Sequence, residues 1–266
     1  MSAEVSANVC KSQLADVIES AVATATVFMS SHKLRPSNDA DVAMVCLYMT
    51  IIESSKACIV LARQGCDFSV PPVARAAFEA FIDLMNLDRN PQNALGLEVK
   101  RMQQKKSAIK AALKLHKGQT GPTGEKLFHL AIEEANNFLR SLPPESKKLE
   151  DRSELIRRAD SSGVFDMLYV SLCDWSHNNT NVLRERHLLE TEAGERFAFF
   201  QPLEVTLFES IFTTLIIFLY TGIAPLLRIG SCDPNERSLV SSSFEAYWIE
   251  SNRLLAVGRN ERTIRK

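Results

Sequence analysis

The stretch PPVARAAFEAFIDLMNL, Pro71 to Leu87, predicts a helix that is buried on almost all sides. Its apolar residues point in nearly every direction around a helical projection. The polar positions form one narrow line at helical spacing, made of Arg75, Glu79, Asp83 and Asn86. Because an unpaired charge inside a protein is costly, a buried helix needs a reason for each charged side chain it carries. We therefore take this line as the candidate functional site.

Composition favours long helices around a sizeable core. The chain has 266 residues, is 45% hydrophobic and contains only ten glycines. Sparse glycine is unusual in architectures built from strands and tight turns. We predict an all-α fold, a single helical bundle of about seven to nine helices. One domain would span residues 1–266, with C-terminal helices at 202–257 completing the bundle.

Capping signals predict where the first helices begin and end. Ser12 stands where an N-cap would precede a first helix. Asn38 begins a second helix and Gly65 ends it. The apolar positions of this second helix that we expect to face the core are Val42, Val45, Met49, Ile52 and Ile59. Prolines at 71 and 72 fit the first turn of the third helix. Because only a short turn separates the second helix from the third, we expect these two helices to form an antiparallel hairpin.

Three later segments interrupt the helical pattern. The stretch GQTGPTGEK, residues 118–126, lacks the register of a phosphate-binding loop and is predicted to be an ordinary loop. The charged stretch PPESKKLEDRSE, residues 143–154, indicates a linker or short turn. Within residues 186–200, Ala193-Gly194 lies between two short segments with apolar residues, HLLE and RFAFF. This pattern predicts a small peripheral β-hairpin.

The sequence favours a reduced, cytoplasmic protein. Its six cysteines are scattered and show no paired spacing typical of zinc sites. The N-terminus MSAEVSANVCKSQ lacks the basic and then apolar pattern of a leader. Residues 202–227 form the most apolar segment, but threonines, Tyr220 and Pro225 interrupt it. We therefore expect a buried core helix there and no membrane span.

The formal net charge of −1 gives no global attraction to nucleic acid, so such binding requires a local basic patch. The stretch VKRMQQKKSAIK, residues 99–110, is the basic candidate. A solvated charged face is the more frequent explanation of such a stretch, and a surface that contacts nucleic acid is the alternative. A homodimer also stays open.

His177 is the second candidate for chemistry, because Asp174, Ser176, Asn178 and Asn179 surround it in the sequence and can orient its ring. Cys173 and His177 have the spacing of two metal ligands on one helical face, but no third ligand is near. We therefore predict no metal site and no cofactor. Nucleophile-elbow and zinc-protease motifs do not occur in the sequence.

Between about residues 39 and 200 the chain resembles an uncharacterised bacterial family of helical proteins, a domain of unknown function. The resemblance rests on the helix ARAAFEAFIDLMNL and the later segment YVSLCDWSHNN. The matching positions are an R-x-x-x-E pair, Arg75 and Glu79, followed by Tyr169, Ser171 and His177.

The helical layout is also remotely similar to the HEPN group of nucleotide-binding and ribonuclease domains. That similarity implies an arginine and a histidine acting together on an RNA backbone without a metal, in bacterial stress or defence, with RNA or a nucleotide as partner. No arginine stands five or six residues before His177, so Arg75 would supply the cation from the neighbouring helix. Catalytic residues would then be Arg75, Glu79 and His177. Binding or supporting residues would be Asp83, Tyr169, Ser171, Asp174 and Asn178.

A non-catalytic interaction module is the competing interpretation. In that case the Arg, Glu, Tyr and His side chains form a buried polar network that fixes helix register or binds a partner. Loss of Arg75 or Glu79 would then leave a buried charge unpaired, at about 3–5 kcal/mol. Under either interpretation we expect Arg75, Glu79 and His177 to converge from two adjacent helices.

Overall fold

The computed structural model describes residues 3–32, 34–115, 121–142, 151–160, 163–176, 180–191, 194–197, 203–229 and 234–263. In chain order the elements are α1 (Ala3–Ser31), α2 (Asp39–Arg63), a short 3-10 turn (Asp67–Ser69), α3 (Val70–Arg89), α4 (Asn93–Leu115), α5 (Gly121–Ser141), α6 (Arg152–Ala159), α7 (Val164–Ser176), α8 (Thr180–His187), β1 (Leu188–Thr191), β2 (Gly194–Phe197), α9 (Val205–Ile229) and α10 (Pro234–Thr263).

The fold is all-α, which confirms the predicted class. The described residues contain ten α-helices, against the predicted seven to nine. The number is higher because α6 and α8 are short helices of eight residues each in largely polar segments. The predicted β-hairpin is also present: β1 and β2 pair antiparallel, with Leu188 opposite Phe197 and Thr191 opposite Gly194. It is the one strand pair in the part of the chain that the structure describes.

Both ends of α2 are fixed by local signals in the sequence. The Asp41 amide donates to Asn38 Oδ1 at 2.9 Å, so Asn38 caps the helix as predicted. At the other end Gly65 has a φ of 69°. The amide of Cys66 reaches Leu61 O at 2.8 Å and the amide of Gly65 reaches Ala62 O at 3.1 Å. This Schellman pair satisfies the last carbonyls and turns the chain toward α3.

The core is organised around α3, which packs against α2, α6, α7 and α9. Its two prolines lie in the first turn, and its apolar side chains are buried around most of the circumference. Phe81 stacks on Phe218 of α9 with ring centroids 4.2 Å apart. Phe78 contacts both Phe218 and Tyr169 of α7, at 5.5 and 5.4 Å. These aromatic contacts hold α3, α7 and α9 together.

Helix α9 supplies the largest share of buried apolar side chains, in agreement with its predicted place in the core. Tyr48 of α2 is fully buried against it and donates a hydrogen bond to Leu219 O at 2.9 Å. By length and composition alone, three helical segments are apolar enough to cross a membrane: Lys11–Ser31, Asp39–Arg63 and Val205–Ile229. The cytoplasmic location and the absence of a span therefore stay predictions.

Several predicted details are wrong. Ser12 is not an N-cap, because α1 begins at Ala3 and runs through it. Of the predicted core positions of α2, Ile52 and Ile59 are buried, Val45 is half-buried, and Val42 and Met49 are exposed. The core face also carries Met44, Tyr48 and Ile51. α2 is apolar nearly all round, so its period does not decide which side is buried.

Two segments interpreted as irregular contain helix. The predicted loop at residues 118–126 is partly wrong, because α5 begins at Gly121 and accommodates Pro122 in its first turn. The charged stretch at 143–154 contains the start of α6, whose N-cap is Asp151: the Ser153 amide donates to its Oδ1 at 3.3 Å. Residues 143–150 lie outside the described residues.

A largely buried ion pair joins three distant segments and had no signal in the sequence. Lys11 Nζ of α1 donates to Asp67 Oδ2 and to Leu203 O, both at 2.9 Å. The Leu203 amide also donates to Asp67 Oδ2, at 3.3 Å. The same ammonium lies 5.0 Å from the centroid of the Phe208 ring. These contacts tie α1 and the chain entering α9 to the 3-10 turn before α3.

We expect Asp67→Asn to lower the free energy of unfolding by about 3–5 kcal/mol, because the buried Lys11 ammonium loses its counter-charge. Urea denaturation measures this. The control is Arg63→Met, which breaks an exposed pair of Arg63 with Asp16 and Glu19 and should cost no more than about 1 kcal/mol. Equal costs for the two variants would contradict the assigned role of burial.

A second stability test uses two helical glycines. A Cβ on Gly222 of α9 would come within 3.1 and 3.2 Å of the buried Tyr48 ring, whereas a Cβ on Gly96 of α4 meets nothing within 4 Å. We expect Gly222→Ala to destabilise by about 1–3 kcal/mol through overpacking. Gly96→Ala should stabilise by about 0.5–1 kcal/mol through helix propensity. Thermal unfolding followed by circular dichroism compares them, and the same sign for both would contradict the packing argument.

Candidate functional site

The polar line of α3 lies along the seam where α3 packs against α6 and α7. Each of its members finds a partner from within this seam. Nearest the start of α3 are Arg75 and Glu79, one turn apart, and they face α7. Further along α3 are Asp83 and Asn86, which face α6. The line therefore divides into two groups with different neighbours.

Arg75, Glu79 and Tyr169 form the first group, which we call the α3–α7 cluster. Arg75 Nε donates to Glu79 Oε1 at 3.0 Å. The Tyr169 hydroxyl donates to the same oxygen at 3.4 Å. The Arg75 guanidinium lies over the Tyr169 ring, 5.7 Å from its centroid. The side chains of Arg75 and Glu79 are 25% and 33% exposed, so the cluster opens to solvent.

Electrostatics keep Tyr169 and Arg75 each in one protonation state near neutral pH. Partial burial raises the pKa of Tyr169, a hydrogen bond to Cys173 and the proximity of Cys173 and Glu79 raise it further, and the Arg75 cation acts to lower it. Burial acts to lower the pKa of Arg75, but the bond to Glu79 and the nearby Cys173, Glu79 and Tyr169 more than offset it. Tyr169 therefore stays a neutral hydrogen-bond donor and Arg75 stays a cation.

Asp83 and Asn86 are used in contacts with α6. Arg152 Nη1 donates to Asp83 Oδ1 at 2.7 Å, and the two side chains are only 17% and 13% exposed. Asn86 Nδ2 donates to Ile82 O at 2.8 Å and to Leu155 O at 3.2 Å. Asp83 thus shares the helix face with Arg75 and Glu79 but pairs with a different element. Its contacts are those of a bridge that fixes α6 on α3.

Of the remaining candidate residues, the structure describes Ser171 and Asp174 of α7. The Ser171 hydroxyl donates back to Met167 O of its own helix at 3.1 Å, which leaves it outside the α3–α7 cluster. Asp174 is exposed on α7. His177, Asn178 and Asn179 lie outside the described residues, directly after the last residue of α7. The convergence of His177 with Arg75 therefore stays a prediction.

The guanidinium of Arg75 is oriented yet not fully used. Its Nε bonds to Glu79, and its two terminal nitrogens have no hydrogen-bond partner among the residues that the structure describes. A planar guanidinium held this way presents a fork that suits phosphate or carboxylate oxygens. Within the same described residues, no group of three or more His, Cys, Asp or Glu side chains has the arrangement of a metal site.

Arg152 and Cys173 were missed as parts of the seam. Arg152 belongs to a run of charged residues, and nothing in that run distinguishes it from the exposed Arg157. Cys173 does carry a signal, because it follows Tyr169 by four residues and so lies on the same face of α7. The spacing of four residues from Tyr169 to Cys173 therefore predicts that Cys173 lies beside the α3–α7 cluster, just as the same spacing to His177 suggested a shared face.

Comparison with known proteins gives one match. The model of the Family of unknown function (DUF5677) matches residues 41–196, more than half of the chain. The matched region includes α3 and α7 with all the candidate residues. No curated protein matches the chain, and no solved structure does.

We expect Arg152→Met to lower the free energy of unfolding by about 1.5–3 kcal/mol, because Asp83 loses a charged hydrogen bond in a poorly hydrated seam. The control on the same helix is Arg157→Met, since Arg157 and Glu154 are 62% and 49% exposed and their pairing contributes little. Urea denaturation of both variants measures the difference. A cost at Arg152 no larger than at Arg157 would mean that the bridge does not hold α6.

Proposed function

The chain belongs to the Family of unknown function (DUF5677), and for this member we propose that the α3–α7 cluster binds a phosphate group of RNA or of a nucleotide. We further propose that the protein is a HEPN-like, metal-independent ribonuclease. One observation carries this proposal: Arg75 is a part-exposed cation fixed through Nε, with both terminal nitrogens unpartnered in the described residues.

Fixation of Arg75 matters because a flexible cation loses entropy when it binds. Glu79 holds Nε, and the Tyr169 ring lies beneath the guanidinium. Tyr169 is itself held by stacking on Phe78 at 5.4 Å. The fork is therefore preorganised by the core, which reduces the cost of ordering it on a phosphate.

In the proposed reaction His177 acts as general base and removes the proton of a ribose 2′-hydroxyl. The 2′ oxygen attacks the adjacent phosphorus, and the bond from phosphorus to the 5′ oxygen of the next nucleotide breaks. That oxygen leaves with the electron pair and takes up a proton, giving a cyclic phosphate and a free 5′-hydroxyl. Arg75 stabilises the charge on the phosphorane, and Glu79 orients Arg75.

α7 runs antiparallel to α3 along the seam, which limits where the chain after α7 can lie. Tyr169 contacts Glu79, and Trp175 packs on Phe68 with ring centroids 5.1 Å apart. Moving forward along α7 therefore means moving backward along α3, toward its N-terminal half. Arg75 lies between these two contacts, opposite the stretch of α7 from Tyr169 to Trp175. Because His177 follows Trp175 by two residues, the proposal requires the chain after α7 to bring His177 back toward Arg75.

A non-catalytic module is the second candidate, and the Asp83–Arg152 bridge favours it. This pair shows that half of the polar line serves helix packing. The α3–α7 cluster would then do the same between α3 and α7. Its partial exposure revises the expected cost, because charges in contact with water keep part of their hydration. Loss of Arg75 or Glu79 should cost about 1.5 kcal/mol, below the value for a sealed core.

The test combines RNA cleavage with stability measurements on the full chain. We expect wild-type protein to degrade single-stranded RNA without added metal, and His177→Ala to lower the rate by about a hundredfold or more. Arg75→Lys should also lose most activity, because lysine keeps the charge but lacks the fork. Arg253→Ala, an exposed arginine of α10, is the control and should leave cleavage unchanged.

Binding is measured separately with a non-cleavable 2′-deoxy oligonucleotide and by calorimetry with nucleotides. Binding that requires Arg75 without cleavage would support the phosphate site and reject the ribonuclease. No binding and no cleavage, together with lower melting temperatures for Arg75→Ala and Glu79→Ala, would establish the module and reject the phosphate site.

A further inference from the structure

Helices α4 and α5 form a hairpin whose far end has its own surface chemistry. Lys105 Nζ of α4 donates to Glu134 Oε2 of α5 at 3.0 Å, at a point where the two helices lie side by side. Beyond this bridge α4 continues to Leu115 and α5 begins at Gly121. We call the described residues 106–115 and 121–130 the hairpin end.

The hairpin end is basic although the whole chain is not. It contains four lysines, at 106, 110, 114 and 126, against one glutamate, in a chain of net charge −1. Closer to the core, two cations of α4 are paired with glutamates: Arg101 with Glu98, and Lys105 with Glu134. Lys110, Lys114 and Lys126 are exposed and form no ion pair with other described residues.

Large apolar side chains stand in water among these lysines. Leu115, Leu127 and Leu130 are 74%, 63% and 51% exposed. Leu127 and Leu130 are three residues apart and lie on the side of α5 that carries Glu134, away from the buried Ala135. Leu115 is the last residue of α4, and Leu130 lies less than three turns after the first residue of α5, so all three leucines belong to the hairpin end.

We propose that the hairpin end docks on an anionic lipid surface, with the leucines inserted at the boundary of headgroups and acyl chains and the lysines on the anionic headgroups. Lysine and leucine together fit this partner, because lipids supply negative charge and an apolar layer at the same contact. RNA offers phosphates but nothing that rewards burial of leucine. The hairpin end as described contains no arginine, its Phe128 ring is half-buried, and His129 is its one exposed ring, which is a poor platform for stacking a run of bases.

The experiment is cosedimentation of the full chain with vesicles of phosphatidylcholine alone or mixed with phosphatidylserine. We expect binding to the mixed vesicles only. Lys110→Glu/Lys114→Glu and Leu127→Ser/Leu130→Ser should each weaken it by about tenfold or more. The control is Val164→Ser/Met167→Ser on α7, where two exposed apolar side chains flank Asp166, and it should bind like the wild type. All substituted side chains are exposed, so melting temperatures should not change.

Four results would overturn the proposal. The first is no binding to mixed vesicles, and the second is equal binding to both vesicle types. The third is a loss in the lysine variant but not in the leucine variant, accompanied by binding of single-stranded RNA that depends on the same lysines, which would assign a nucleic-acid surface. The fourth is bound protein that resists an alkaline carbonate wash, which would indicate insertion of the apolar helices and not surface docking.

Discussion

The contact of Phe78 and Phe81 with rings of α7 and α9 is the interaction on which the rest of the structure depends. Phe81 stacks on Phe218, and Phe78 lies between Phe218 and Tyr169. This packing fixes the distance and rotation of α7 relative to α3. Because Tyr169 belongs both to the aromatic core and to the polar cluster, the core determines where its hydroxyl meets Glu79. The cluster is thus anchored to the core through Tyr169, while Arg75 and Glu79 are partly exposed.

The seam along α3 separates a structural task from a candidate functional one. Asp83 and Arg152 are nearly enclosed, and their short bond joins an eight-residue helix that buries few apolar side chains of its own. Arg75 and Glu79 are more exposed and contact α7, which is already held by aromatic packing. A charge that is not needed to hold its helix, yet is kept in one orientation, is available for a ligand. This contrast supports the proposed phosphate-binding role of Arg75 over a purely structural one.

Apolar side chains of this chain are found in two different environments, the protein core and the exposed surface. α9 is long and apolar enough to cross a membrane, and 67% of its most apolar 18-residue stretch is buried inside the protein. Its face toward α2 accepts the Tyr48 ring at Gly222, where a larger residue leaves no room. The hairpin end of α4 and α5 shows the opposite case, in which modest apolar content stays exposed because those residues have no helix to cover them. Hydropathy measures the tendency to leave water but does not identify what takes the place of water.

The sequence by itself determined the all-α class, the ends of α2, the near-complete burial of α3, the hairpin at residues 186–200 and the pairing of Arg75 with Glu79. These features depend on contacts within a few residues, such as the caps at Asn38 and Gly65 and the one-turn spacing on α3. Only the tertiary structure decided that Asp83 pairs with Arg152, that Tyr169 bonds Glu79, that Lys11 meets Asp67 and which face of α2 is buried. Those partners are separated by 56 to 90 residues. Local periodicity restricts the direction of a side chain, but its partner is set by the packing of whole helices.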